Sequence, residues 1–284
     1  MNNMKKTERN TPTPPKVISE LPSDYFLTYR KVSGSKLHTH TFFELELYLN
    51  DVGFVTLNND TYKVKRNGIC ISVPTDYHKL TCLDGEIMEV INLSFISTML
   101  DKELLNKLLY SAESNVYYLS DSEAEKVRAL INLLEIEQLE KQKNDNFAEL
   151  CISSIITLVL RNRKDTSTEQ KQSLALKAVQ YILEHFKENI TLEKVAKEVG
   201  LNPSYLSHHF HNETGFKFKE YLTATRINYA KKLIRANREM ITYACFESGF
   251  NSYSAFSRAF IDVVGCSPSE YVIKKTSSNP ISKE

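Results

Sequence analysis

The chain has 284 residues, enough for roughly two domains of ~100–150 residues each. At 42% apolar and 25% charged it has the make-up of a water-soluble protein with real cores, which excludes a disordered or fibrous chain. The net charge of +1 hides an asymmetry: residues 1–169 hold 20 Lys+Arg against 24 Asp+Glu, and residues 170–275 hold 15 against 10, so the basic end is the one suited to a polyanion.

The most apolar stretch, near Cys151–Leu160, is about ten residues and too short to span a bilayer. No charged-then-apolar leader opens the chain. The expectation is a cytoplasmic protein with no membrane partner. Cys70, Cys82, Cys151, Cys245 and Cys266 are scattered, with no Cys-x-x-Cys, and read as reduced, buried thiols with no disulfide framework or zinc site.

In chain order, residues 1–20, with Thr11-Pro12-Thr13-Pro14-Pro15, lack periodicity and read as a flexible tail. From Tyr25 to Phe95 short β-rich runs alternate with turn signals. Asn58-Asn59, Asn67-Gly68 and Asp84-Gly85 each offer residues that tolerate positive φ, as tight hairpins require. About seven strands imply a small antiparallel barrel or sandwich over 21–97.

Leu100–Leu109, Glu123–Leu139 and Phe147–Leu160 show helical spacing. These helices could cap the barrel or pair two subunits. The second is longer than a cap needs, so 98–164 is read as a dimerisation segment. The polar stretch 165–172 reads as a linker, 173–276 as a helical domain and 277–284 as a tail.

The helical domain contains one unit twice. Ser207, Phe210, Gly215, Glu220 and Tyr221 recur fifty residues later as Ser257, Phe260, Gly265, Glu270 and Tyr271. Gly200-Leu201 matches Gly249-Phe250 at forty-nine, so the second turn is one residue longer. Each unit reads as helix, glycine turn, helix. Thr191 caps the first helix, Asn202 and Pro203 start the second, and Leu206 and Phe210 anchor it inward. Ser204, Ser207, His208 and His211 are left facing out. In the second unit Phe256 and Phe260 are the anchors, and Tyr253, Ser254, Ser257 and Arg258 face out. A short helix joined by a tight turn to a helix with a polar, partly basic face is the helix-turn-helix that reads DNA. A helical repeat scaffold is the weaker alternative, since solenoids normally need at least three repeats.

Residues 173–275 resemble the DNA-binding domain of the AraC/XylS family of transcription regulators. The matching stretches are Ile190-Thr191-Leu192 through Gly215, then Arg226-Ile227 with Ala230 and Leu233. Phe256-Ser257-Arg258-Ala259-Phe260 and Gly265-Cys266-Ser267-Pro268 complete them. His208-His209, Ala244-Cys245 and Ile261-Asp262 depart from the family pattern.

His38-x-His40-x-x-x-Glu44, followed by Gly68-x5-Pro74-x3-His78, resembles the two motifs of cupin barrels. The second motif is one residue short and lacks a glycine. Positions two apart on a strand share a face, so His38, His40 and Glu44 can converge if no bulge intervenes. Three readings stay open: a metal site, a metal-free effector pocket with Arg30 as a further polar partner, or a solvated polar face with Leu45, Leu47 and Leu49 turned to a core.

The reading adopted is an α+β chain: a cupin-like β-barrel sensor, a helical dimerisation segment and an all-α domain of two helix-turn-helix units. Ser204, Ser207, His208, Tyr253, Ser254, Ser257 and Arg258 are the DNA-binding candidates; Arg30, His38, His40, Glu44 and His78 are the effector-binding ones. No catalytic residue, cofactor or metal enters this reading. Its partners are double-stranded promoter DNA, a small-molecule effector such as a sugar or other metabolite, a second copy of the chain, and RNA polymerase. The family resemblance implies activation. The alternative is a metal-dependent cupin enzyme with a helical appendage.

Overall fold

Alternating residues in the first half build two facing five-stranded sheets. The computed structural model describes residues 16–18, 21–58, 60–109, 115–140, 145–162, 173–237 and 239–277. The linker call at 165–172 lies outside the described residues, as do most of the two tails. The strands are β1 (Lys16–Ile18), β2 (Tyr25–Val32), β3 (His38–His40), β4 (Phe43–Tyr48), β5 (Phe54–Leu57), β6 (Asp60–Lys63), β7 (Gly68–Ser72), β8 (His78–Thr81), β9 (Met88–Phe95) and β10 (Val116–Tyr118). One sheet runs β1-β3-β8-β5-β6 and the other β10-β7-β4-β9-β2; every pairing is antiparallel except β1 beside β3. The three anticipated turns each contain a positive-φ residue, Asn58 at 55°, Asn67 at 64° and Gly85 at 81°.

β4 shows why the sheets pack as they do. Phe43, Leu45 and Leu47 join the core beneath the helices, whereas Tyr48 joins a second core with Val55 and Leu80 of the opposite sheet. Glu44 and Glu46 share the inner face with Tyr48 and are buried. The solvated reading of that face therefore fails, because the other sheet lies over it.

Helices α1 (Lys102–Leu109), α2 (Asp121–Leu139) and α3 (Asp145–Leu160) cover the outer face of the second sheet through Leu108, Val127, Ile131, Leu134, Ile152 and Ile156. Ser120 and Glu123 close a capping box at the start of α2. Near its end Gln138 accepts from Leu27 N at 2.8 Å and donates to Leu27 O at 3.1 Å. Leu27 lies on edge strand β2, so this amide covers backbone groups that would otherwise invite a foreign strand.

Two boundaries need correction. The supposed tail 1–20 includes β1, which pairs with β3, and the supposedly helical 98–164 includes β10, which pairs with β7. Three residues are too few for a periodic signal; both strands exist because a neighbouring strand offers an open edge.

The second half is α4 (Leu174–His185), α5 (Leu192–Glu198), α6 (Pro203–Thr214), α7 (Phe218–Ala236), α8 (Ile241–Glu247), α9 (Tyr253–Val264) and α10 (Pro268–Ser277). α4 to α6 pack into the main core through Val179, Val195, Leu206 and Phe210. Ile227, Ile234, Cys245, Phe256 and Phe260 make a separate core for the second unit. α7 is shared, and it reaches back to the first half. Lys231 Nζ donates to Leu21 O at 2.8 Å, Lys232 pairs with Glu149, and Arg235 pairs with Asp24. Among the described residues no helix is long and apolar enough to cross a membrane.

Candidate DNA-reading surface and sensor cluster

The two candidate reading helices are built by the same local devices. At α6, Asn202 Oδ1 accepts from Tyr205 N at 2.8 Å, Pro203 occupies the first turn, and Gly215 ends the helix at φ 74°. At α9, Ser252 Oγ accepts from Ala255 N at 3.3 Å and Gly265 ends the helix at φ 77°. Leu206, Phe210, Phe256 and Phe260 are fully buried, and burying each anchor pair sets which side faces water. Ser204, Ser207, His208, Tyr253, Ser254 and Arg258 are exposed as anticipated, with Ser257 half-buried. The turn before α9 spans five residues against four before α6, as the repeat offset requires.

Ser207 and Arg258 line one cleft of about 1430 Å³ between the two units, with Lys217 and Lys219 on its wall. α7, at 19 residues, is about 28 Å long at ~1.5 Å per residue. Tyr205, exposed on α6 and 4.2 Å from the His209 ring between centroids, is a further outward residue that the anchor spacing alone did not single out.

In the first half His38, Glu44 and His78 come together, though not along one strand. His38 of β3 lies in register with His78 of β8, and Glu44 approaches from β4 in the opposite sheet. The chain changes sheets at Thr41-Phe42, and that corner produces the convergence. His78 Nε2 lies 3.0 Å from Glu44 Oε1, and the donor atoms of His38, Glu44 and His78 all lie within 4.8 Å of one another. The His40 ring is 5.0 Å from that of His78. Arg30 places its guanidinium 3.8 Å from Glu46 and its charge also acts on His38.

Burial dominates the electrostatics. It pushes His40 down to about 3 and, with the neighbouring His78, lowers His38. Burial, then the Glu44 charge, raises Glu46 to about 7. For Glu44 burial acts upward, but the His78 hydrogen bond, with the neighbouring imidazoles, holds its pKa below the usual carboxylate range. For His78 burial acts downward, and the Glu44 carboxylate overrides it and raises the imidazole. Glu44 and His78 thus form a buried ion pair beside a neutral His40.

The residue next to His78 had no sequence signal at all. Tyr77 donates its hydroxyl to Asn212 O, near the end of α6. The Asn212 amide Nδ2 in turn lies 3.0 Å from His208 Nε2. Burial, then Glu213, pushes the Tyr77 phenol up to about 12, so it stays a donor at neutral pH. A covalent and hydrogen-bonded path therefore runs from the buried ion pair to an outward residue of the first reading helix.

Residues 195–273 match a family model described as a helix-turn-helix domain. The chain is similar to the HTH-type transcriptional activator RhaR of Enterobacter sp. (strain 638), 24% identical over 249 residues covering 82% of this chain and 86% of that protein. It is also similar to the melibiose operon regulatory protein of Escherichia coli (strain K12), 24% identical over 235 residues and 76% of each chain. Among solved structures, ToxT from Vibrio cholerae O395 has a TM-score of 0.41 and 17% identity over 89% of this chain and 99% of that one. The relatives are regulators, and the alternative of a metal-dependent enzyme is set aside. With a duplicated helix-turn-helix in its second half and likeness to transcription regulators along most of its length, the chain is similar to DNA-binding transcription regulators of the AraC/XylS type.

Proposed function

We propose that the chain is a cytoplasmic activator that reads double-stranded promoter DNA with α6 and α9, and that a small-molecule effector at the histidine cluster of a cupin-like sensor half sets its affinity. Activation is supported by a relative whose name calls it an activator, and RNA polymerase is the further partner that activation would engage. Ser204, Ser207 and His208 face one major-groove segment and Tyr253, Ser254, Ser257 and Arg258 the next. His38, His40, Glu44, His78 and Arg30 face the effector.

The observation that carries this reading is the path His78, Tyr77, Asn212, His208. Tyr77 ties the first half to the end of α6 and Asn212 engages His208. Tyr77→Phe removes one hydrogen bond, worth about 0.5–1.5 kcal/mol, and should raise the operator affinity of the effector-free chain about two- to tenfold. Fluorescence anisotropy on a labelled operator duplex measures this, and unchanged affinity breaks the path.

We also propose a homodimer through α2 and α3. Leu133, Ile136 and Leu139 follow one another at helical spacing on α2, and Leu150 lies on α3; all four are exposed. A second copy of the chain is the occupant, because this apolar face lies on the side of the helices away from their own sheet. Sedimentation velocity at micromolar concentration should show a dimer that Leu133→Asp with Ile136→Asp converts to monomer. A wild-type monomer sinks the proposal.

A further inference from the structure

The two reading helices differ in one kind of side chain. α6 carries His208, His209 and His211, whereas α9 carries no histidine and presents Arg258. Imidazole is the side chain whose charge ordinarily changes between about pH 5 and 8, while a guanidinium stays charged throughout. His208 and His211 stand three apart on one exposed face of α6. His209 is turned aside, its ring 4.2 Å from that of Tyr205 and its Nδ1 3.5 Å from Glu213. The protonation state of His208 follows from its contact with Asn212. Its Nε2 lies 3.0 Å from Asn212 Nδ2, and an amide nitrogen only donates, so Nε2 accepts and the ring is neutral, with its hydrogen on Nδ1. The charged groups on the helices packed against α6 are engaged elsewhere or stand alone. Glu184 of α4 pairs with Lys102, His185 of α4 and Lys194 of α5 with Glu188, and Lys217 with Glu220 at the start of α7. Lys177 of α4, Glu193, Lys197 and Glu198 of α5 and Lys219 of α7 complete that set. Among the described residues none of them forms an ion pair with His208 or His211. From the first half Tyr77 reaches Asn212 O, and its phenol keeps its proton at neutral pH.

We propose that His208 and His211 contact DNA as imidazolium ions, so that the first unit takes up protons on binding and grips the duplex more tightly as pH falls. The inference rests on the reading of α6 as a DNA-reading helix and adds the charge state in which it reads. Phosphate oxygens and guanine O6 and N7 only accept hydrogen bonds. Neutral His208 has a single hydrogen to offer them, and its other nitrogen is already taken by Asn212. The imidazolium has two donors and a charge. Protonating Nε2 sets two donors against each other, so the exposed Asn212 amide turns over and accepts from Nε2 through Oδ1. The main-chain oxygen of Asn212, which Tyr77 holds, takes no part in that turn. The dense negative charge of a duplex stabilises the protonated rings in the complex relative to the free chain. Binding therefore takes up protons, and by linkage affinity rises as pH falls. The second unit, with Arg258 in the corresponding role, keeps its grip whatever the pH.

The full-length chain is titrated onto a labelled duplex recovered by binding-site selection, at fixed ionic strength, from about pH 8 down to about pH 6. Each proton taken up changes affinity by at most about tenfold per pH unit, and wild type should gain about tenfold or more over this range. His208→Gln with His211→Gln should flatten the profile to less than about twofold. His185→Gln, on α4, should keep the wild-type profile. Tyr77→Phe should keep its slope, because the path to the buried cluster plays no part in the titration. Circular dichroism checks that the variants are folded. Calorimetry of wild type in two buffers of different ionisation heat counts the protons directly, and carries the test if the double variant does not fold. A flat wild-type profile, no proton uptake, or a double variant that keeps the wild-type profile overturns the proposal. A profile lost in Tyr77→Phe overturns it as well, since the protons would then belong to the buried cluster. A chain that selects no duplex at any pH defeats the DNA reading of α6 itself, whereas selective binding that ignores pH overturns this inference and leaves that reading standing.

Discussion

Operator affinity should fall about a thousandfold as salt rises from about 50 to 200 mM, the change expected when about six phosphates are neutralised. The exposed Lys194, Lys197, Lys217 and Lys219 surround the reading helices, and residues 170–275 carry the chain's positive balance. Each neutralised phosphate releases a counterion, so the slope of log affinity against log salt counts such contacts. Arg258 is placed differently. It projects from α9 into the cleft shared with Ser207, and its Nε reaches only as far as Ser254 O of its own helix, at 3.4 Å. A guanidinium there has the fork geometry to meet guanine O6 and N7. Arg258→Ala should therefore cost about 1–3 kcal/mol and relax preference at one base position while leaving the salt slope in place. Binding-site selection with both proteins, combined with a salt titration, decides the matter. Identical sequence preferences with a slope reduced by about one would make Arg258 a phosphate clamp. Affinity that is flat in salt would remove DNA as the partner.

Gly249→Ala should destabilise the second unit by about 2–4 kcal/mol, combining the left-handed backbone penalty with steric overpacking. Gly249 has φ 87°, and a Cβ there would lie 2.6 Å from Phe186 O and 2.9 Å from Lys187 O. Both obstacles are backbone atoms at the end of α4, which Arg226 of α7 also grips through Phe186 O and Glu188 O, each at 2.7 Å. The turn of the second unit is thus pressed against the first unit, and no side chain can move aside. Gly200, its counterpart in the repeat, has φ 74° with nothing within 4 Å of an added Cβ. Gly200→Ala should accordingly show the backbone penalty alone, about 1–2 kcal/mol. Thermal melts of the two variants test the difference, and equal losses would show that the contact with α4 contributes nothing.

The amino-acid sequence by itself determined the second half almost completely. A helix start, a helix stop and an inward face are written within four or five consecutive residues, as in Asn202-Pro203 with Leu206 and Phe210, or Ser252 with Phe256 and Phe260. The repeat then wrote the unit twice and predicted even the extra residue in the second turn. Turn chemistry in the first half was equally local: Asn58, Asn67 and Gly85 all stand at positive φ. The tertiary structure alone decided what lies far apart in the chain. β1 and β10 exist because strand edges were there to receive them. The inner face of β4 is buried because a second sheet covers it, a fact that alternation along one strand does not contain. Glu44 meets His78 across 34 residues, and Tyr77 meets Asn212 across 135. Local propensity sets backbone angles one residue at a time, whereas such contacts arise only when separate hydrophobic faces pack and carry their polar neighbours with them.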